Sequence, residues 1–195
     1  MKRIALVALL LGVFAPGLAT AQEQYRSVLV SIKPEADIPL PPDPNLFQPG
    51  AGAAVSGSYA FPFFTPLSAG LAVNYHLGRL QHDDLGNLGS LSVISAEPTA
   101  ELRLTFWRRF EAYLSGGAGY FYAFLNGAPS SAASNLVLNG RIGVGLRATP
   151  TLTIGVQGEY RRFCSLYHLI GVGLGVDLWL GGVTVLRVSN ESRTD

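Results

Sequence analysis

The amino-acid sequence predicts an all-β protein: an eight-stranded antiparallel up-and-down transmembrane β-barrel, preceded by a cleavable signal peptide. Three observations support this prediction. Apolar and polar residues alternate with a period of two along most of the chain, which is the periodicity of a strand with two different faces. The alternating segments are longer than the 5–6 residues that are average for strands in soluble proteins. Most of the charged residues in these segments fall on the same face.

Composition limits the classes of function. Charged residues make up 14% of the chain and hydrophobic residues 48%, so the chain is not intrinsically disordered, a state that requires low hydrophobicity and high net charge. The formal net charge of +1 argues against binding of nucleic acid through a basic surface. The single cysteine, Cys164, cannot form an internal disulfide. We expect it to be a free thiol.

The chain divides into three parts. Met1–Arg3 is basic, an uncharged apolar stretch follows, and Ala19–Ala21 has the small-x-small pattern of a signal-peptidase site. The apolar stretch is shorter than the ~20 residues of a spanning helix. Residues 1–21 are therefore predicted to be a signal peptide, residues 22–180 the barrel domain, and residues 181–195 a periplasmic C-terminal tail.

The first four predicted strands lie within the first 106 residues. In the third segment, Leu71 and Val73 alternate with Ala72 and Asn74, and the fourth segment alternates leucines with charged residues. Each segment therefore has one apolar face. In chain order the four segments are Tyr25–Lys33, Gly52–Phe61, Leu67–Arg79 and Glu97–Phe106.

The last four predicted strands alternate more regularly. In the seventh, Ile154 and Val156 alternate with Gln157 and Glu159. The eighth lies in an 18-residue run with one charge, from residue 169 to residue 186, which could also be a spanning helix. Its five glycines favour a strand, because each glycine costs roughly 1 kcal/mol inside a helix. The four segments are Phe110–Phe124, Leu136–Ala148, Thr151–Phe163 and Leu169–Leu180.

The predicted links alternate in length. Short links at 62–66, 107–109 and 149–150 are expected at one rim, and longer links at 34–51, 80–96 and 125–135 at the other. The remaining link, 164–168, is short although it belongs to the second rim. An even strand number with short turns at one end and long loops at the other is typical of outer-membrane barrels. The turns and both chain termini are therefore predicted to be periplasmic.

With the apolar faces turned towards lipid, five basic and five acidic side chains point into the barrel. The lumen of eight strands is barely wide enough for side chains, so we expect a structural network of ion pairs that plugs it. Aromatic residues cluster at both ends of the outward face, as expected at membrane–water boundaries. The inverted, soluble arrangement remains open on alternation alone. The ten inward residues are Lys33, Glu97, Glu101, Arg103, Glu111, Arg141, Arg147, Glu159, Arg161 and Asp177.

The signal peptide, the eight strands and strand sequences such as Asn139–Arg147 and Gly171–Trp179 resemble the small OmpA/OmpX-like outer-membrane β-barrels. This resemblance implies residence in the bacterial outer membrane, contact with its lipids and lipopolysaccharide, and insertion by the barrel-assembly machinery. It also implies that an extracellular ligand would meet the outer loops. No nucleic-acid partner is expected, because the net charge is only +1. Members commonly end on an aromatic residue, whereas this chain continues beyond Leu180 to Asp195.

No catalytic residue, cofactor or metal site is expected. One cysteine and three scattered histidines do not form a metal-ligand pattern. His76 is followed two residues later by Gly78, whereas the lipid A deacylases among the similar barrels have serine at this spacing. Ser165 lies near His168 in the sequence, but this pair is weak evidence for a nucleophile and its base. The leading hypothesis is a non-enzymatic structural or surface-interaction barrel. The alternatives are a small-solute or lipid-handling barrel, narrow and porin-like or soluble and lipocalin-like, and an outer-membrane lipid hydrolase.

Overall fold

A computed structural model describes residues 28–40, 46–62, 64–82, 86–107, 109–126 and 132–180. The predicted signal peptide (1–21) and C-terminal tail (181–195) lie outside the described residues, so both stay predictions. Within the described ranges, no helix is long and apolar enough to cross a membrane.

Eight antiparallel strands form one closed barrel in which each strand pairs with its neighbours in the chain, and β1 closes the sheet against β8. The predicted fold class is confirmed, and each of the eight predicted segments overlaps its own strand, although residues 25–27 of the first segment lie outside the described residues and Ala148 and Thr151 lie just beyond strand ends. The strands are β1 (Val28–Leu40), β2 (Phe47–Phe61), β3 (Phe64–His82), β4 (Gly86–Phe106), β5 (Phe110–Asn126), β6 (Ala132–Arg147), β7 (Leu152–Phe163) and β8 (Tyr167–Leu180).

The register of the strands fixes the width of the barrel. A path that follows paired residues once around the sheet returns to β1 ten residues further along the strand. Eight strands with this stagger tilt by roughly 35–45° and enclose a lumen that side chains fill. The path runs through Val28, Tyr59, Ala69, Ala100, Gly116, Gly140, Tyr160, Ile170 and Ile38.

Side-chain direction alternates as predicted. Ile142 and Leu174 on the outer face are 64% and 58% exposed, whereas Glu97, Glu111 and Arg161 inside the barrel are 0% exposed. Around the middle of the barrel, apolar residues therefore face outward and charged residues face the lumen. The soluble, lipocalin-like arrangement would require the opposite orientation and is wrong for this chain.

Aromatic residues form two outer belts. We call the end of the barrel that carries Val28 and Leu180 the turn end and the opposite end the hairpin end. The turn end carries exposed Phe64, Phe106, Trp107 and Phe110, and the other belt carries exposed Tyr75, Tyr120, Tyr122 and Tyr160. Phe110 and Tyr120 are ten residues apart on β5, which corresponds to about 25 Å along the axis of a tilted barrel. This matches the ~25 Å apolar band of outer-membrane barrels.

The predicted long loops are wrong. β1 continues to Leu40, β2 begins at Phe47, β4 at Gly86 and β6 at Ala132, so most of residues 34–51, 80–96 and 125–135 is strand. Proline, serine and glycine indicated loops there, but the period of two continues through them and the strands pair with each other. β3 and β4 reach 19 and 21 residues, whereas β7 has 12. Among the described residues the rim at the hairpin end is therefore uneven, and β3 and β4 extend furthest.

Candidate functional site in the barrel lumen

The described lumen contains three layers of side chains. Along β4, from the turn end upward, Arg103 and Glu101 come first, then Glu97, and finally Val93 and Leu91. The first layer, the lower charge cluster, consists of Lys33, Glu101, Arg103, Glu111, Arg147 and Asp177. The second, the upper charge cluster, consists of Glu35, Asp37, His76, Glu97, Arg141, Glu159 and Arg161. The third, the apolar plug, consists of Leu80, Leu91, Val93, Phe121, Ala123, Val137, Phe163, Tyr167 and Leu169.

Arg103 is the centre of the lower charge cluster. Its guanidinium lies 2.8 Å from Glu101 Oε1, 2.8 Å from Glu111 Oε2 and 2.7 Å from Asp177 Oδ2. Arg147 contacts the other oxygen of Glu111, at 2.5 Å. These residues come from distant parts of the chain and meet because their strands are adjacent or face each other across the lumen. With Lys33 3.9 Å from Glu101, the layer has three positive and three negative groups.

Tyr113 fills the space between the two charged layers. Its ring packs against Gly143, where an added Cβ would lie 2.3 Å from the ring carbon Cζ. The ring lies 4.9 Å from Lys33 Nζ and 4.7 Å from the Arg103 guanidinium, within the range of cation–π attraction. Its hydroxyl donates to Gln157 at 2.8 Å. The lumen is thus packed rather than hollow at this level.

A cavity of about 10 Å³ beside Lys33, Ser115 and Arg141 confirms how little space is left there. A cavity of this size holds at most about one water molecule. At this level the described side chains leave room for roughly one water, not for a file of hydrated ions.

Arg161 and Arg141 organise the upper charge cluster around Glu159. Arg161 donates to Glu159 Oε1 at 2.6 Å, and Arg141 donates to Glu159 Oε2 at 2.7 Å. Arg161 also lies 3.3 Å from Glu97, which accepts a hydrogen bond from Asn74 at 2.9 Å. Glu97 and Glu159 are therefore both ion-paired and hydrogen-bonded, as buried carboxylates usually are.

His76 joins this network to β1. Arg161 Nη1 lies 2.6 Å from His76 Nε2, and Asp37 Oδ2 lies 2.8 Å from His76 Nδ1. Because a guanidinium only donates hydrogen bonds, Nε2 is the acceptor and the ring donates to Asp37 through Nδ1–H. The imidazole is thus neutral in this arrangement.

The structure places all ten sequence-predicted lumen residues inside the barrel. Nine are buried, and the Arg147 side chain at the turn end is 13% exposed. Arg161 and Arg162 separate: Arg161 points inward and Arg162 is exposed on the outer face. Glu35 and Asp37 are also inward and buried, but they fell in a predicted loop and were missed. The alternation that continues from Lys33 through Glu35 to Asp37 was the signal that could have found them.

The apolar plug was also missed. Phe121 and Phe163 are 1% exposed and their rings lie 5.2 Å apart, and Tyr167 packs against Phe163. Near the hairpin end both faces of β5 carry apolar or aromatic residues, with Tyr120 and Tyr122 outward and Phe121 and Ala123 inward, so a rule that assigns apolar residues outward fails there. A strand that becomes apolar on both faces near its end is the signal for such a plug.

Ser165 and His168 have separate partners. The Ser165 hydroxyl donates to the carbonyl of Cys164 and accepts from Asn135 at 2.8 Å, whereas His168 Nδ1 lies 2.6 Å from the Tyr160 hydroxyl. His76 is in the lumen, on the other side of the barrel wall from Tyr160 and His168. The three side chains are thus not brought together. Cys164 is a free thiol.

Comparison with known proteins identifies the fold through structure alone. No protein-family profile matches the chain, and no curated protein matches its sequence. Among solved structures, Neisserial surface protein A is similar with a TM-score of 0.56 and 14% identity, over 78% of this chain and 96% of that one. The outer membrane protein OprG from Pseudomonas aeruginosa is similar with a TM-score of 0.57 and 11% identity, over 83% and 100%.

The fold is that of the small outer-membrane β-barrels. The resemblance predicted from the strand pattern is confirmed at this level, and the bacterial outer-membrane location inferred from the sequence agrees with the location that the description of OprG names. At 11–14% identity the likeness extends to the fold and not to any partner.

Proposed function

We propose that the chain is an integral protein of the bacterial outer membrane with a closed lumen, and that its role is structural or surface-interacting through the hairpin end. The single observation that carries this proposal is the filling of the lumen. Two charged layers and an apolar plug occupy it in succession along β4. A hydrated ion on this path would have to displace the paired charges and then cross the plug without water.

The outer surface supports membrane residence. Its exposed aliphatic side chains lie between the two aromatic belts, where lipid acyl chains would cover them. Every paired strand contributes its backbone groups to a closed sheet, which is what a β-structure in lipid requires. Outer-membrane lipids and lipopolysaccharide are thus the proposed partners of the wall, and the barrel-assembly machinery the proposed route of insertion.

The hairpin end is the surface left for recognition. The β3–β4 hairpin continues beyond the level of the tyrosine belt and exposes Leu88. Arg162 is exposed on the outer face at the end of β7, where it can contact lipid phosphates. An extracellular ligand would meet this rim rather than the lumen.

Fractionation tests membrane residence. Full-length protein expressed in a Gram-negative host is expected in the outer-membrane fraction. Its electrophoretic mobility should change when the sample is heated, because a folded barrel resists unfolding by detergent until heated. A periplasmic, water-soluble product without a mobility change would contradict the proposal.

Planar-bilayer recording separates the proposal from the small-solute alternative. The purified barrel is expected to give no sustained open channels, whereas sustained conductance would support a conducting role. A lipid-hydrolysis assay addresses the enzymatic alternative. Activity that disappears on joint replacement of His76, Ser165 and His168 would contradict a non-enzymatic role.

A further inference from the structure

The two charged layers differ in net charge. The lower charge cluster balances three basic groups against three acidic groups. The upper charge cluster has two arginines, and His76 is neutral, but it has four carboxylates: Glu35, Asp37, Glu97 and Glu159. With all four ionised, this buried layer carries a surplus of two negative charges.

The surplus lies at Glu35 and Asp37. Glu97 and Glu159 contact the two arginines. The Glu35 side chain is 0% exposed, and among the described residues neither of its oxygens has a hydrogen-bond partner. Oδ1 of Asp37 has none there either. Leaving buried carboxylate oxygens unpaired is expensive, so these atoms point to a missing positive partner.

The geometry of the pocket provides a place for this partner. One donor atom each from Glu35, Asp37 and His76 lie within 4.8 Å of one another. His76 Nδ1 is 3.8 Å from Glu35 Oε1 and 2.8 Å from Asp37 Oδ2. The two strands that pair with β1, β2 and β8, present glycine beside this pocket. A Cβ at Gly52 would lie 2.7 Å from His76 Nδ1, and one at Gly171 would lie 2.9 Å from Glu35 Oε2.

We propose that Glu35, Asp37 and His76 bind one divalent transition-metal cation of the Zn²⁺ class inside the barrel. Two carboxylates and one imidazole are ligands that Zn²⁺ accepts at about 2.0–2.2 Å, with water completing the tetrahedron. A divalent cation also neutralises the surplus charge of the layer. Ca²⁺ fits less well because it requires 6–8 oxygen ligands, and Mg²⁺ and Ca²⁺ both disfavour imidazole.

Binding requires a change of histidine tautomer. Nδ1 must lose its proton to ligate the cation, and the ring then carries the proton on Nε2. Arg161 must withdraw from Nε2, where it now donates at 2.6 Å. The guanidinium keeps its ion pairs with Glu97 and Glu159. Arg161 thus holds the His76 ring in place only in the cation-free state. Glu35 and Asp37 provide most of the attraction for the cation.

Zinc titration tests the site. The refolded mature barrel, with Zn²⁺ supplied during refolding or added afterwards, is analysed for bound metal after dialysis and by calorimetry. We expect one Zn²⁺ per barrel. E35Q/D37N should abolish binding and H76Q should weaken it at least tenfold. X-ray absorption should show a nitrogen ligand in the wild type that H76Q lacks. Heat-modifiable mobility checks that each variant is folded.

Replacing a glycine beside the pocket keeps all three proposed ligands and changes only the space around them. G52A places a methyl group against His76 and Asp37 and should weaken Zn²⁺ binding at least tenfold. G140A is the matched control, because a Cβ there meets nothing within 4 Å, and it should bind like the wild type. Fewer than about one Zn²⁺ per ten barrels, or equal binding by folded wild type and E35Q/D37N, would overturn the proposal. The proposal would also be overturned if the wild type stays metal-free after exposure to Zn²⁺ and shows an infrared band of protonated carboxyl groups that E35Q/D37N lacks. Protons would then be the compensating charge.

Discussion

Replacement of Arg103 by methionine tests the account of the lower charge cluster most directly. Arg103 contacts Glu101, Glu111 and Asp177 with three separate nitrogen–oxygen contacts of 2.7–2.8 Å. Methionine keeps much of the side-chain volume but none of the charge. After the change, Lys33 and Arg147 face three carboxylates, so the layer acquires one uncompensated negative charge.

The expected loss in the free energy of unfolding is about 3–5 kcal/mol, the usual cost of removing one partner from a buried ion pair. This corresponds to a fall of the folding equilibrium constant by roughly a hundredfold to several thousandfold. If the same ion pair were exposed to solvent, the loss would be only about 0–1 kcal/mol. The 7% exposure of the Arg103 side chain decides between these two magnitudes.

The assay is urea unfolding of the refolded barrel in detergent micelles or lipid vesicles. Trp179 is a local reporter because its ring lies 5.8 Å from the Arg103 guanidinium. The second tryptophan, Trp107, is replaced by phenylalanine in all variants so that fluorescence reports on one site. The double variant R103M/D177N restores two positive and two negative groups, and it should recover at least half of the lost stability.

Two results would refute this reasoning. A folded R103M barrel less than about 1 kcal/mol weaker than its parent would mean that solvent screens the layer. A double variant as unstable as R103M, or less stable, would mean that the contacts of Arg103, and not the charge balance, determine the cost.

Two further predictions concern the wall and its packing. Ile142→Arg, in the middle of the outer apolar band, should destabilise the barrel in vesicles by about 2–4 kcal/mol. Leu136→Arg, near the tyrosine belt on the same strand, should cost only about 0–1 kcal/mol. Equal losses of stability in urea titrations would contradict the assigned membrane position. Gly143→Ala should cost about 1–3 kcal/mol because the new methyl group overlaps the Tyr113 ring. Gly140→Ala, whose Cβ meets nothing within 4 Å, should be nearly neutral, and thermal unfolding in which both glycine variants match the parent would disprove the packing of Tyr113.

The barrel itself could be predicted from sequence because a period of two is a local property. Ile154, Val156 and Tyr160 mark the outer face of β7 without any knowledge of their neighbours, and the same holds for β8. Closure then follows from the demand that backbone groups in lipid be paired. The boundaries of the strands failed where proline and serine indicated turns, as around Pro34 and Pro39, which lie within β1.

The partners inside the lumen could not be predicted. Arg103 reaches Asp177, and Arg161 reaches His76, across distances in sequence that only the register and the closed barrel bring together. Because Glu35 was assigned to a loop, it was left out of the predicted inward residues. The charge surplus that distinguishes the upper charge cluster from the lower one was therefore missed. Equal numbers of acids and bases in the sequence-predicted set thus concealed an unequal distribution along the axis.

Nuclear Overhauser contacts between lipid acyl chains and side-chain methyl groups test the central claim without any substitution. In lipid nanodiscs, Ile142 and Leu174 are expected to show cross-peaks to acyl-chain protons. The inward methyl groups of Val93 and Val137, both 0% exposed, should show contacts to protein protons and none to lipid or water. Water contacts at Ile142 and Leu174, with no acyl-chain contacts there, would contradict the account.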